Sequence, residues 1–423
     1  MQNHGKNNFV RLTRRFRIDT TPELQRLCKI SNDLYNQSLC HWKKRYEDDK
    51  VFLSFYDLRR EVKGLMNLQG EKDFYLLKTQ TSEYSVKLAH NAITSFFKAI
   101  KDWKAHPERY KAKPEFPRYH KQNGLTEIDM PCPNDCRVRD GYVIISKDCK
   151  IYIPQWDEYK ERFAKTKMVR IIPSERFMTV EIVYEEERKQ ADVSPDMVAA
   201  IDMGIDNLCT MVSPSGCVIF NGKPLKAYNQ LFNKRLAKAK SILDKQNPDG
   251  KKRSSNRIRA MYDKRDCYIE TYMHTISKRI VEQLVNEKVG VLVIGKNDGW
   301  KQKVKLGSRE NQKFTQIPFF RLERQLKYKC EMVGIRYVEQ EESYTSKCDA
   351  LAMEDIGKHE EYLGKRKKRG LFQSGTGTLI NADENGALNI LRKYLGDDAY
   401  KKAMKGWKLT PPKIVSVETN FKR

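Results

Sequence analysis

Val198, Ala199, Ala200 and Ile201 form a short apolar run that ends in a carboxylate, Asp202. A run of this kind reads as a buried central strand. A carboxylate there is costly to bury unless something pairs with it, and in a core sheet the least costly partner is a divalent cation. The plainer reading is an aspartate capping a turn, and neither Gly204 nor Asp206 decides between the two. The surrounding stretch, Met197 to Phe220, reads as a strand, a glycine-containing corner, a second strand, a Pro-Ser-Gly turn and a third strand.

A second stretch far downstream bears on the choice. In Asn381-Ala-Asp-Glu-Asn-Gly-Ala-Leu-Asn-Ile-Leu391, the residues Ala387, Leu388, Ile390 and Leu391 make one apolar face at helical spacing. Asp383 then falls in the first turn, where a carboxylate suits the helix dipole. Taken alone, Asp383, Asn385 and Asn389 would be ordinary surface or capping residues. Together with the Ile-Asp-Met-Gly strand they resemble the RuvC nuclease domain of the transposon-encoded TnpB type, with compact type V CRISPR effectors and Fanzor proteins as relatives. In that family a strand reading G-I-D-x-G carries the first metal-binding aspartate, here Asp202. A segment reading N-A-D-x-N-x-A-x-N-I carries the last, here Asp383.

The chain of 423 residues is long enough for roughly two to four domains. Its 81 lysines and arginines exceed its 55 acids by 26, which points to a polyanionic partner. Nucleic acid fits better than a membrane, because no apolar stretch approaches the ~20 residues of a spanning helix. The opening residues lack the apolar core of a signal peptide. Ten dispersed cysteines without a Cys-x-x-Cys pair suit free thiols in a reducing compartment. The close pair Cys132 and Cys136 reads as plain loop cysteines.

Along the chain, residues 8–18 alternate apolar and basic side chains, an edge strand with one cationic face. Thr21-Pro22-Glu23 starts a helix reaching about Glu47. Further helical regions cover Ser54 to Leu68 and Ser82 to about Lys104. In the latter, Tyr84, Leu88, Ala92, Phe96 and Ile100 read as a core stripe. Trp103 to Tyr119 holds three prolines and cannot be a continuous helix. Its cations, Lys104, Lys111, Lys113 and Arg118 among them, interleave with Trp103, Tyr110, Phe116 and Tyr119, a mixture suited to nucleic-acid backbones and exposed bases. A solvated basic loop is the alternative. The family has a similar segment ending P-x-F-P-R-Y/F. Residues 125–190 turn to strand character at 141–145, 150–153, 168–172 and 177–184, and with residues 8–18 could close a small barrel.

In the second half a helical insertion spans about Leu225 to Glu287, broken at Asn247-Pro-Asp-Gly250. Lys251, Lys252, Arg253 and Arg257 open its second helix, where the family has a lysine-rich pair with S-x-N-R. Val289 to Ile294 is a further buried strand. The family's second acid usually follows it, but here the chain reads Gly295-Lys296-Asn297, with Asp298 beyond. The resemblance implies a substitute acid from the next strand, just before Thr345-Ser346-Lys347. That makes Glu342 the expected ligand and Glu341 the fallback, since strand alternation turns only one of them to the metal side.

The resemblance implies two magnesium ions about 4 Å apart, held by Asp202, Glu342 and Asp383. The family often carries a four-cysteine zinc ribbon between its last two acids. Here only Cys348 and nearby His359 remain, so no structural zinc is expected. Residues 348–378 then read as a degenerate nucleic-acid-binding loop, with Lys367, Lys368 and Arg369 in its basic run.

The expected fold class is α+β and multidomain. A wedge-like β-barrel (1–20 and 121–190) with a helical recognition insertion (21–120) precedes an RNase-H-like RuvC domain (191–347 and 379–423). The expected function is RNA-guided DNA cleavage. Its partners would be a long structured guide RNA and double-stranded target DNA, with no membrane, and the protein a monomer in a prokaryotic cytosol, associated with the nucleoid. The alternatives are an inactive RNA-guided DNA-binding repressor and an RNA-independent transposase.

Overall fold

A computed structural model describes residues 8–67, 69–174, 176–247, 249–250, 254–296, 316–407 and 411–417. The chain divides into two units, Met1–Glu186 and Glu187–Arg423.

The first unit opens with strand β1 (Phe9–Ile18), at a sheet edge as its alternation implies. Helix α1 (Pro22–Asp49) starts where the sequence directs: the Thr21 hydroxyl accepts from the Leu24 N–H at 3.3 Å, and Pro22 supplies a preset first turn. Ser54 caps α2 (Phe55–Val62), which ends well short of the expected Leu68. Helix α3 (Thr79–Ala105) starts before Ser82, because Asp135 accepts from both the N–H and the hydroxyl of Thr81 at 2.6 Å. The expected stripe from Tyr84 to Ile100 lies on the flank of α3 and is only part-buried. The buried face is Ser82, Ser85, Val86, Ala89 and Ile93. Small side chains win there because α1 approaches closely, with the Ser31 and Ser85 hydroxyls 2.9 Å apart.

The strands that follow are β2 (Ile128–Pro131), β3 (Arg137–Arg139), β4 (Tyr142–Ile144) and β5 (Lys150–Tyr152). After helix α4 (Trp156–Phe163) come β6 (Thr166–Pro173) and β7 (Met178–Glu187). They do not form the single barrel expected. Among the described residues the ladders make two sheets, β1-β7-β6-β2 and β3-β4-β5, with α4 interposed in the chain between them. The two sheets still bury one apolar core, including Val143, Ile151, Val169, Ile171, Val180 and Ile182. Strand β2 escapes a sequence reading because it is short and its Asp129 is buried, paired with Arg170 at 2.6 and 2.8 Å.

The second unit is built on β8 (Ser194–Met203), β9 (Asn207–Ser213) and β10 (Gly216–Asn221), the strand–corner–strand–turn–strand read from the sequence. Helices α5 (Lys223–Gln246) and α6 (Asn256–Asn286), strand β11 (Val289–Lys296), helix α7 (Phe319–Val333) and strand β12 (Arg336–Glu341) follow. Then come β13 (Lys365–Lys368), β14 (Leu371–Gln373), β15 (Leu379–Asn381), helices α8 (Ala382–Leu395) and α9 (Asp397–Met404), and β16 (Lys413–Val415). The main sheet runs β12-β11-β8-β9-β10-β16. The β12–β11–β8 pairings are parallel, and β8–β9–β10 is antiparallel. Alternation along β8 splits its core in two: Ala199, Ile201 and Met203 pack with α6 and α7, while Val198 and Ala200 pack with α8. Residues 348–378 are not the loop expected, for they hold β13 and β14, which form an antiparallel sheet with β15.

Candidate active site

The alternation that sends Val198 and Ala200 toward α8 sends Asp202 there too. Its carboxyl is held well above the usual carboxylate range, first by burial, then by the negative charges of Asp383 and Glu342. Arg366 on β13 and the Met203 N–H oppose the shift. The three acids expected to act together thus share one environment, drawn from β8, the turn after β12, and the first turn of α8.

Two glycines make the room. A Cβ on Gly386 of α8 would stand 2.6 Å from Asp202 Oδ2, so any other residue there would collide with the carboxylate. In the parallel register Ile294 of β11 lies opposite Ile201, which brings Gly295 beside Asp202. A Cβ on Gly295 would meet Glu342 Oε2 and Ile390 Cδ1, each at 2.5 Å. The carboxylate of Glu342 therefore lies over the vacant face of Gly295. Glu341 is engaged elsewhere: its carboxylate accepts from Lys393 Nζ at 2.8 Å and from the Ser343 N–H at 2.6 Å. Lys296 pairs with Glu339. Asp298 and Asn297 lie outside the described residues.

Asp383 accepts from Asn207 Nδ2 at 2.7 Å. Asn381 ends β15 and caps α8, with its side chain accepting from the Asp383 N–H at 2.9 Å and Glu384 completing a capping box. Glu384 itself is pushed up to about 7 by burial. Asn385 and Asn389, which could have been surface residues, are fully buried. Asn389 Nδ2 donates to the carbonyls of Thr345 at 2.9 Å and Cys348 at 2.7 Å. Asn385 donates to the Cys348 carbonyl at 2.8 Å and accepts from the Ala350 N–H at 3.0 Å. The Thr345 hydroxyl in turn donates to the Glu342 carbonyl at 2.8 Å. The two asparagines thereby tie the segment bearing Glu342 to the helix bearing Asp383.

Asp206, at the corner between β8 and β9, is held below the usual carboxylate range. Burial opposes this, but the Lys226 ammonium at 2.6 Å and Arg369 outweigh it. Arg369, expected as a nucleic-acid contact, is thus already paired with Asp206. Lys367 and Lys368 are exposed on β13. Arg257 is exposed in the first turn of α6, and Lys251, Lys252 and Arg253 fall outside the described residues. In the first unit Lys104 and Lys111 are exposed, Lys113 lies 5.9 Å from the Trp103 ring centroid, and Arg118 pairs with Glu115 at 2.7 Å.

In residues 348–378, Cys348 Sγ donates to the Gly357 carbonyl, and His359 Nε2 meets the Asp355 carbonyl at 2.6 Å. Two buried carboxylates organise the segment. Asp349 accepts from the Ser374 hydroxyl and the Gly375 N–H at 2.7 Å, and from the N–H groups of Leu351 and Ala352. Glu354 accepts from the N–H groups of Asp349 at 2.7 Å and Leu363 at 2.8 Å.

Among the described residues no three His, Cys, Asp or Glu side chains already close around a point for a metal. The three acids are gathered, with Asp383 turned to Asn207. Sequence reading missed Gly295, Gly386, Asn207 and Arg366. Asn207 stands beside Asp206 in a legible motif, whereas the others declare themselves only through contacts. No helix among the described residues is long and apolar enough to cross a membrane.

Two family profiles match this chain in succession: "Probable transposase" over residues 181–301 and "Cas12f1-like, TNB domain" over residues 319–390. A TnpB-like protein of Acidianus two-tailed virus is 22% identical over 419 residues, covering 88% of this chain and 84% of the relative. Among solved structures, the Cas12f1–sgRNA–target DNA complex is similar with a TM-score of 0.55 and 13% identity, covering 87% of this chain and 82% of that one. That likeness establishes a shared fold.

Proposed function

We propose, for a chain that is of the TnpB type, an RNA-guided DNA endonuclease whose RuvC site is formed by Asp202, Glu342 and Asp383. The observation that carries the reading is the convergence of those carboxylates from three separate elements, with Gly295 and Gly386 leaving space that a side chain would fill. A guide RNA pairs with target DNA while the protein recognises backbone shape and a short flanking motif. The similar Cas12f1 structure contains guide RNA and target DNA, which supports that choice of partners.

An all-oxygen set of carboxylates fits magnesium, and the burial, with the mutual repulsion, that raises Asp202 is the cost a divalent cation relieves. Asp202, Glu342 and Asp383 would hold two such ions, which when bound supply an activated water and stabilise charge on the leaving oxygen. Asn207 orients the carboxylate of Asp383. The capping box fixes the first turn that carries it. Asn385 and Asn389 hold the Glu342 segment in place. Arg366, Lys367 and Lys368 present cations to the phosphates on either side of the cut. On this reading residues 1–20 and 121–190 form the wedge, 21–120 the recognition part, and 191–347 with 379–423 the nuclease domain.

The test is cleavage by the purified chain with its copurifying RNA. Asp202→Ala and Asp383→Ala should each abolish magnesium-dependent cutting and leave RNA binding intact. Undiminished cutting by Asp202→Ala would refute the proposal.

A further inference from the structure

The small sheet β3-β4-β5 has one face with no role so far. Alternation buries Val143 and Ile151 with Val138 part-buried beside them, as their register pairs Val138 with Val143 and Val143 with Ile151. The opposite face then carries two cross-strand rows. One row is Arg139, Tyr142 and Tyr152; the other is Arg137, Ile144 and Lys150. Tyr142 is 41% and Tyr152 61% exposed, large values for aromatic rings on a sheet. Their centroids lie 5.9 Å apart in an edge-to-face pair, so one ring supports the other and leaves a flat face open. Beside Tyr152 a cavity of about 690 Å3 is lined by Arg17, Pro22, Lys150 and Pro154, with the carboxylates of Asp19 and Asp148 also on its wall.

Rings with open faces, flanked by cations and set against a polar cavity, suit an unpaired base and its phosphates. A base stacks on the ring, cations neutralise the backbone, and carboxylates can accept from exocyclic amino groups. An apolar protein partner would desolvate Arg137 and Lys150, a cost that the phosphates of a nucleic acid would offset. A duplex hides its bases in the stack, so the occupant must be single-stranded.

We propose that this outer face and the adjoining cavity hold an unpaired nucleotide of single-stranded RNA, with Tyr152 as the stacking residue. The proposal rests on the RNA-binding reading above and specifies where a non-helical stretch of that RNA sits. Because Tyr152 projects outward, its removal leaves the Val143–Ile151 core intact.

The experiment measures affinity of the full chain, by fluorescence anisotropy, for a labelled RNA without self-complementarity, for DNA of the same sequence and for the paired RNA duplex. Tyr152→Ala should weaken single-stranded RNA binding roughly ten-fold and leave the duplex unchanged. Tyr152→Phe should bind like the parent, since the ring is kept. Ultraviolet crosslinks should map to the peptides containing Tyr142 or Tyr152. Unchanged RNA affinity in Tyr152→Ala would overturn the proposal while leaving RNA guidance standing. An equal loss for single-stranded DNA would overturn the assignment to RNA. Failure of the parent chain to bind RNA at all would overturn both.

Discussion

The Oε2 atom of Glu342 lies 2.5 Å from the point where a Cβ on Gly295 would stand. Gly295 is beside Asp202 in the parallel register of β8 and β11, one residue before β11 ends. The missing side chain on β11 and the extra carboxylate after β12 are therefore one arrangement. On the proposed reading, Glu342 reaches the site from one strand further out, across the face that Gly295 leaves open.

Gly295→Ala tests that coupling. The new methyl would push on both Glu342 and Ile390. Cutting should fall on the order of 100-fold from a displaced carboxylate, with a stability loss of about 1–3 kcal/mol from overpacking. RNA binding should be unchanged. Cleavage kinetics and a thermal melt read the two effects separately, and an alanine variant that cuts normally would show that Glu342 does not depend on the gap.

Glu342→Gln keeps shape and deletes charge, so cleavage should be lost as fully as in Asp202→Ala. Glu341→Gln should be tolerated, because it breaks only a surface pair with Lys393, typically ~0–1 kcal/mol. Asp298→Asn should be tolerated as well. A plasmid-cutting assay in which Asp298→Asn is dead and Glu342→Gln is active would place the acid on the earlier strand.

Elemental analysis should find far less than one zinc per chain, and a strong chelator should leave the melting temperature in magnesium-free buffer unmoved. Asp349→Asn should instead destabilise the protein by about 1–3 kcal/mol, because its amide NH2 would confront either the Gly375 N–H or the N–H groups of Leu351 and Ala352. A chelator-sensitive melt would mean that a metal organises residues 348–378.

Lys329 offers a pH signature remote from the site. Its ammonium donates to the His274 carbonyl at 2.8 Å and the Ser277 hydroxyl at 2.6 Å, yet burial, helped by Lys278, pulls its pKa down from 10.5 to about 8. Below about pH 8 folded and unfolded chains both hold the proton, and folding bears the full cost of burying it. Between about pH 8 and 10.5 the folded chain releases it first, so this group makes stability rise with pH. Lys329→Met should be more stable than the parent at neutral pH by on the order of 1–2 kcal/mol, after allowance for partial exposure. Denaturant titrations should show that advantage shrinking above pH 8. An advantage constant across this range would refute the shifted lysine.

Binding to non-specific nucleic acid should weaken linearly on a log–log plot against salt, as the surplus of 26 positive charges implies. Lys368→Ala should flatten that slope more than Arg369→Ala, since Arg369 is already neutralised by Asp206. Filter binding across a salt series decides it, and an affinity indifferent to salt would assign the charge another purpose.

What the sequence discloses here follows periodicity. The run Val198–Ile201 placed β8, the spacing of Ala387, Leu388, Ile390 and Leu391 placed α8, and Thr21-Pro22 placed the start of α1, because local propensity and burial agree at each. The buried face of α3 was misread because Ser82, Ser85 and Ala89 pack inward for their small size, against the hydrophobicity of Tyr84 and Phe96. Strand β2 was hidden because its buried Asp129 is satisfied by Arg170, distant in sequence, and the β13–β14–β15 sheet because the buried Asp349, outside its strands, holds the turn after β14 through Ser374 and Gly375. Gly295 and Gly386 carry meaning only through what lies opposite them.

Asn381 is at once the last residue of β15 and the cap of α8. The β13-β14-β15 sheet and the helix bearing Asp383 are joined there without a spacer. Residues inserted between Ile380 and Asp383 would pull the acid out of phase with Asp202. By contrast Gly377, at a turn with φ of 87° and open space where a Cβ would stand, faces no such constraint. Splicing tolerance along this stretch should therefore change abruptly within a handful of residues, with a fluorescent tag or affinity peptide accepted at one end and fatal at the other.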